Sequence, residues 1–314
     1  MELTLQQTFF AVFGSLVLLA AAASLLLHRL TLRTADADKL TWIGQLNSRL
    51  HAAWLIVLLF AVGFALGETA LAVIFALASF FALREFVALT PIKPADHIAL
   101  IIAFYVVIPV QYMLVGSGWY QLYAVFIPVY LFLVLPVVMA WRLDTELYLQ
   151  RVAKVQWGLM LSVFCVSHAP AIASLEPPGY EERGPLLLLY FLLVVQLSDM
   201  FAVMASASVG RTPLRSNPNK SREGVLIGGI GATLVGTGLW WMTPFSWWQA
   251  ALMAAATVIT GFLGGLVLAS VKRSLGERQW DQGVALSRGV LERLEGITFS
   301  APVFFHLTVY FFVP

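Results

Sequence analysis

The chain has 314 residues, of which 60% are hydrophobic and 11% charged, with a mean hydropathy of +0.85. A soluble domain carries roughly 25% charged residues, so this composition excludes one and implies an all-α integral membrane protein that crosses the bilayer many times. A net charge of +2 offers no basic field for a nucleic-acid partner, and the single Cys165 excludes an internal disulfide or a cysteine-built metal centre.

The N-terminus lacks a Lys/Arg-then-apolar pattern of the cleaved-signal type, so the first apolar run is expected to persist as a helix. A bilayer core needs about 20 apolar residues in a helix. On that measure about ten segments (nine or ten, if the second and third are one bent pair) follow in order, near 8–27, 52–67, 69–83, 98–115, 119–140, 155–174, 185–208, 225–242, 248–270 and 299–313.

Basic residues alternate with these segments. Arg29, Arg33, Lys39 and Arg49 follow the first, Arg84 and Lys93 the third, and Arg142, Arg151 and Lys154 the fifth. Arg211, Arg215, Lys220 and Arg222 follow the seventh, and Lys272, Arg273, Arg278, Arg288 and Arg293 the ninth. Arg183 is the single basic residue after an even-numbered segment. Positive residues mark the cytoplasmic side, which predicts both termini outside and the charged loops in the cytoplasm, in a plasma (inner) membrane. In "LWWMTPFSWW", Trp240, Trp241, Trp247 and Trp248 flank a Pro turn, as an interfacial belt at the outer surface would.

Two of the inner loops exceed what connection requires. Around 199–224, Asp199 lies within an apolar stretch, where an acid is expensive and is expected to face a cavity or a partner. Arg211, Arg215, Lys220 and Arg222 follow as donors suited to phosphate oxygens, with Glu223 among them either to hold a basic side chain or to approach a metal. Around 270–298, Lys272 and Arg273 leave a helix. Val290, Leu291, Leu294 and Ile297 then recur at near-helical spacing, with Glu292, Arg293 and Glu295 on the other face. That pattern fits a helix lying at the inner surface or one lining a polar cavity. Together the two loops suggest one cavity for an anionic head group. Gly224 with Gly228, and Gly261 with Gly265, have the small-xxx-small spacing of close helix packing, which also fits a homodimer. His28, His51, His97, His168 and His306 show no metal-ligand spacing, and His168 is expected to pack between helices.

The loops resemble those of the phosphatidate cytidylyltransferases, the CDP-diacylglycerol synthases. The first keeps Pro218, Lys220, Glu223, Gly224 and Gly228–Gly229 after the upstream Asp199; the second keeps Ser270, Lys272, Arg273, Gly289, Arg293 and "FSAPVFF"; an earlier "FALREFVAL" supplies Glu85. The resemblance is specific over the last 120 or so residues and weak before them; against it, the first helix and the loop to about residue 50 look like an addition in front of a family-like membrane domain spanning 51–314. It implies transfer of CMP from CTP to a phosphatidate-like membrane lipid with release of pyrophosphate. It further implies Lys272, Arg273 and Arg293 as catalytic, Lys220, Arg222, Arg211 and Ser270 as substrate-binding, and Asp199, Glu223 and Glu292 as Mg²⁺ ligands. Departures fall at charged positions: Gly265 stands where the family has a membrane-depth Asp, Ser287 where it has His, and Glu292 and Glu295 where it has Asp. The alternative is a catalytically silent relative that binds lipid or a partner protein. A transporter is less well supported, because no pair of corresponding broken helices divides the chain into halves.

Overall fold

A computed structural model describes residues 5–33, 37–90, 93–141, 143–214, 220–275 and 289–313. Each predicted apolar segment coincides with a helix: α1 (Leu5–Arg33), α2 (Ala37–Leu66), α3 (Glu68–Ala88), α4 (Pro94–Gly116), α5 (Tyr120–Ala140), α6 (Tyr148–Ala173), α7 (Gly184–Val209), α8 (Arg222–Gly238), α9 (Trp247–Ser274) and α11 (Glu295–Phe312), the last preceded by a short α10 (Val290–Arg293). Among the described residues, seven are long and apolar enough to cross a membrane: α1, α3, α4, α5, α6, α7 and α9.

The second and third segments are two helices, not one bent pair, because Gly67 separates them at φ 91°, a left-handed conformation that glycine adopts without a Cβ clash. Gly63 then lets α2 lie directly against Leu71 of α3, where an added Cβ would stand 2.3 Å from the leucine Cδ2. The first basic loop proves shorter than its polarity suggested. α1 runs on to Arg33 and α2 begins at Ala37, with Ile43, Leu46 and Leu50 buried along one helical face. None of the apolar window of α1 is buried, and α1 meets α2 through the Trp54 indole N–H, which donates to Ser24 Oγ at 3.1 Å.

Among the described residues, two apolar clusters fill the bundle. The larger joins α3, the far ends of α4–α6, α7, α9, α10 and α11 around Tyr190, Phe191 and Phe304; the smaller sits among α3, α4, α5 and α6 around Leu83, Leu135 and Met139. Within α4, α5 and α6 the helix loosens to a π turn at Ala103–Val107, Phe126–Leu131 and Met160–Phe164. His168 is fully buried, as a packing histidine should be: its Nδ1 faces the Phe164 carbonyl at 2.8 Å, and the ring lies against those of Tyr123, Phe305 and His306. The four tryptophans of the belt are exposed.

One ion cluster braces the bundle at an end bearing basic loops. The Arg151 side chain is 4% exposed; its Nε lies 3.0 Å from Asp96 and its Nη1 2.7 Å from Asp144. The guanidinium also donates to the carbonyls of Asp144 and Glu146. These bonds hold a turn in which Leu143 and Leu147 both take left-handed φ values, 55° and 49°, a conformation that disfavours branched side chains. Lys93 closes the cluster by donating to Glu146 at 2.6 Å. Removing one partner from a buried charge network strands the other. Arg151→Ala should therefore destabilise the protein by about 3 kcal/mol, whereas Lys93→Ala, at an exposed pair, should change stability by less than about 1 kcal/mol. Thermal unfolding in detergent compares the two.

Candidate functional site

The path to the site begins with glycines. α8 crosses α7 so closely that a Cβ on Gly224 would lie 2.6 Å from the Ser206 nitrogen, and one on Gly228 2.3 Å from that of Ala202. Only hydrogen fits at those positions. Ser206 Oγ accepts from the Ser221 N–H (2.8 Å), and Ser221 in turn caps α8 by accepting from the Gly224 N–H (2.9 Å). The chain between α7 and α8 folds back on itself, with Leu214 N–H to the Lys220 carbonyl and Arg222 N–H to that of Thr212. Lys220 thereby lands beside α7, where its Nζ is 2.7 Å from Asp199 Oδ1. The lysine side chain is 15% exposed and the aspartate 36%, so the predicted intramembrane acid has a cation at a partly open site.

Glu223 has a different environment from Asp199. Its carboxylate accepts from the backbone N–H groups of Arg211 and Thr212, both at 3.1 Å, and from the Thr212 hydroxyl at 2.8 Å. Its own backbone N–H, those of Thr212 and Arg211, and the Thr212 hydroxyl hold its carboxyl far below the usual range, at about 2. It shapes the loop that carries Arg211 and Arg222, both of which are exposed. Arg215 and Pro218 lie outside the described residues.

The second loop leaves the end of α9 and is described again from Gly289. Lys272 and Arg273 occupy the last turn of α9, and Ser270 donates to the Leu266 carbonyl within the same helix. Ser287 and Arg288 lie outside the described residues. From Gly289 the chain enters α10, whose Leu291 is fully buried and is followed by the buried Leu294 and Ile297. The run is docked into the bundle and does not lie on its surface. Glu292 Oε2 is 3.8 Å from Lys272 Nζ, with Arg293 next to it in α10 and Glu295 opening α11. Glu85, at the end of α3, accepts from the N–H groups of Val290 (2.7 Å) and Leu291 (2.9 Å).

Glycines again set the distance. A Cβ on Gly261 would meet the Gly296 carbonyl at 3.1 Å, and one on Gly265 would stand 2.3 Å from Glu295 Oε1. The space of a side chain at 265 is filled by the Glu295 carboxylate reaching over from α11. Gly296 itself presses on Val195 of α7, where its Cβ would be 2.7 Å from Cγ1. Val195 precedes Asp199 by one helical turn, so α7, α9 and α11 bring Asp199, Gly265 and Glu295 to one end of the bundle.

Magnesium requires near-octahedral oxygens at about 2.1 Å. Among the described residues no three His, Cys, Asp or Glu side chains group as a metal site. Asp199 faces Lys220, Glu292 faces Lys272, and Glu223 is spent on its own loop. The arrangement does not fit Mg²⁺ held by these three together. As a site it is a set of cations: Lys220 and Lys272 are set against carboxylates, and Arg211, Arg222 and Arg273 are exposed.

Residues 47–311 match the family model described as the cytidylyltransferase family. "Uncharacterized protein YnbB" of Escherichia coli (strain K12) is 29% identical over 313 residues, 98% of this chain and 99% of that protein. The phosphatidate cytidylyltransferase of Helicobacter pylori (strain J99) is 28% identical over 156 residues, 46% of this chain and 58% of the relative. That of Mycobacterium leprae (strain TN) is 34% identical over 149 residues, 45% of this chain and 47% of the relative. Against these two enzymes the chain thus spans about half of their length.

The Glu223 clasp has a pH signature. A carboxyl depressed by folding contributes order above its unfolded value of 4.5, and that order is lost as pH falls through the folded value of about 2. Amide exchange in residues 210–214, referenced to a denatured control, should therefore show protection falling from pH 4.5 toward 2. Glu223→Gln should exchange faster at neutral pH and lose the dependence.

Proposed function

Since the chain belongs to the cytidylyltransferase family, we propose that it transfers CMP from CTP to the phosphate of a phosphatidate-like membrane lipid, giving a CDP-diacylglycerol and pyrophosphate. A phosphate oxygen of the lipid attacks the α-phosphorus of CTP; that bond forms as the bond to the bridging oxygen of pyrophosphate breaks. Reactions of this kind gain mostly from positioning and charge neutralisation. Lys220 and Arg222, with Arg211 at the rim, hold the triphosphate. Lys272, Arg273 and Arg293 hold the lipid phosphate and the charge that develops in the transition state, with Ser270, two residues before Lys272 on α9, as a further substrate contact. In this reading the charged loops face the cytoplasm, both termini lie outside, and all ten long helices cross the plasma membrane.

The observation that carries the reading is the arrival of Lys220 and Lys272, from loops some fifty residues apart in sequence, at carboxylates on one end of the bundle. Each lysine is held at low exposure by an acid that an incoming phosphate oxygen would replace. Asp199 and Glu292 thus keep the cations in place while the site is empty of substrate. The resemblance assigns Mg²⁺ to Asp199, Glu223 and Glu292, and these residues sit in separate contacts. That separation, with Gly265 in place of an acid, also supports the second reading, a silent relative that binds the lipid phosphate or a partner without turnover.

Purified protein given CTP, Mg²⁺ and phosphatidate vesicles should release pyrophosphate, and Lys220→Ala or Lys272→Ala should each lower the rate by at least about tenfold. Saturable binding of CTP or phosphatidate without release would decide for the silent relative.

Gly265→Asp is a separate test of the same end of the bundle. Its Cβ would strike the Glu295 carboxylate and set two like charges together. The single variant should lower the thermal midpoint, and Gly265→Asp/Glu295→Ala should recover most of the loss. Equal stability of the single variant and the wild type would show that the Glu295 side chain swings clear of the new group at little cost.

A further inference from the structure

The contact between Glu85 and the start of α10 joins residues about two hundred positions apart, and its two ends are built differently. The α3 end is rigid. Leu83 and Phe86 are 1% and 3% exposed, and they seat in a notch on α6 at Gly158, where a Cβ would stand 2.9 Å from Phe86 Cδ1 and 3.2 Å from Leu83 Cδ1. Beyond Glu85, Thr90 adjoins the Arg151–Asp96 cluster. The α10 end is a single helical turn whose first N–H groups have no partner within the turn itself. Glu85 meets both, one carboxylate oxygen to each: Oε1 accepts from Val290 N–H and Oε2 from Leu291 N–H. The next two residues along are Glu292, at Lys272, and Arg293.

We propose that Glu85 is a positioning residue: its carboxylate anchors α10 to the braced end of α3 and so fixes Glu292 and Arg293 opposite Lys272. The role needs two acceptor oxygens at the reach of a glutamate. Glutamine keeps the reach but turns an NH₂ toward one of the N–H donors, and aspartate keeps both oxygens but falls one methylene short. The catalytic part of this inference rests on the proposed transfer reaction; the anchoring part does not.

Three measurements on the full-length protein test it. Amide exchange of residues 289–294 should rise about tenfold in Glu85→Gln and further in Glu85→Ala, with the thermal midpoint little changed. A short bis-maleimide should join the cysteines of Lys272→Cys/Glu292→Cys, and Glu85→Gln added to that pair should lower the yield severalfold; the one native cysteine, Cys165, is buried. In pyrophosphate release, Glu85→Gln should lower kcat about tenfold and leave the KM for CTP unchanged, because Lys220 and Arg222 lie on the other loop. Unchanged exchange in both variants would overturn the anchor. Raised exchange with unchanged cross-linking and kcat would leave the anchor without a positioning role and overturn the proposal. If the unaltered protein releases no pyrophosphate, the reaction fails, while exchange and cross-linking still decide whether Glu85 fixes the turn.

Discussion

A carboxylate inside an apolar helix must meet a cation or water, and the site follows from how this chain meets that demand at Asp199. The nearest lysine in sequence is on the far side of a turn, and it can come close only if the helix after the turn presses against the helix before it. Gly224 and Gly228 permit that contact because a Cβ on either would stand less than 3 Å from the backbone of α7. Ser206 and Ser221 then tie the crossing with hydrogen bonds that tolerate the short distance. The ion pair is thus a product of backbone packing, and it would be lost with a single methyl group at either glycine.

The same solution recurs at the second loop with a different outcome. Gly261, Gly264 and Gly265 on α9 admit the start of α11, but the close approach there brings a carboxylate and not a lysine into the gap. Glu295 is one methylene longer than the aspartate that the family resemblance places there, and that added length is what carries its oxygen across to α9. The departures at 265 and 295 are therefore in contact with each other. A shorter acid at 295 would leave the gap beside Gly265 unfilled; a larger residue at 265 would expel the acid.

Much of this was legible in the sequence. Hydropathy located every long helix, and small-xxx-small spacing at 224/228 and 261/265 identified both close crossings, because each signal is local and periodic. The extent of helix was less legible: Arg29, Arg33, Lys39 and Arg49 read as a loop, yet most of that stretch is helical, since helices continue into the polar zone where backbone bonding still favours them. Three sets of contacts left no sequence signal. Arg151 looked like one more positive-inside residue, because its burial depends on turns at 94–96 and 143–147 meeting in space. Glu223 looked like a metal ligand or an ion-pair partner, whereas its partners are mainly backbone N–H groups, which no residue pattern encodes. Glu85 was visible as a family residue, but its partners lie about two hundred positions away.

The π turns in α4, α5 and α6 carry a consequence for the chain's history. A π turn holds one residue more than an α turn, so everything past it is rotated by about 100° relative to an unbroken helix. The turns at 126–131 and 160–164 touch one another, so the two helices change phase at a shared level. A single-codon deletion in either one would swing half a helix's greasy face inward and its packed face into lipid. Indels here should survive only in pairs, one per helix, and length variation among relatives should be found in the loops and not within these rods.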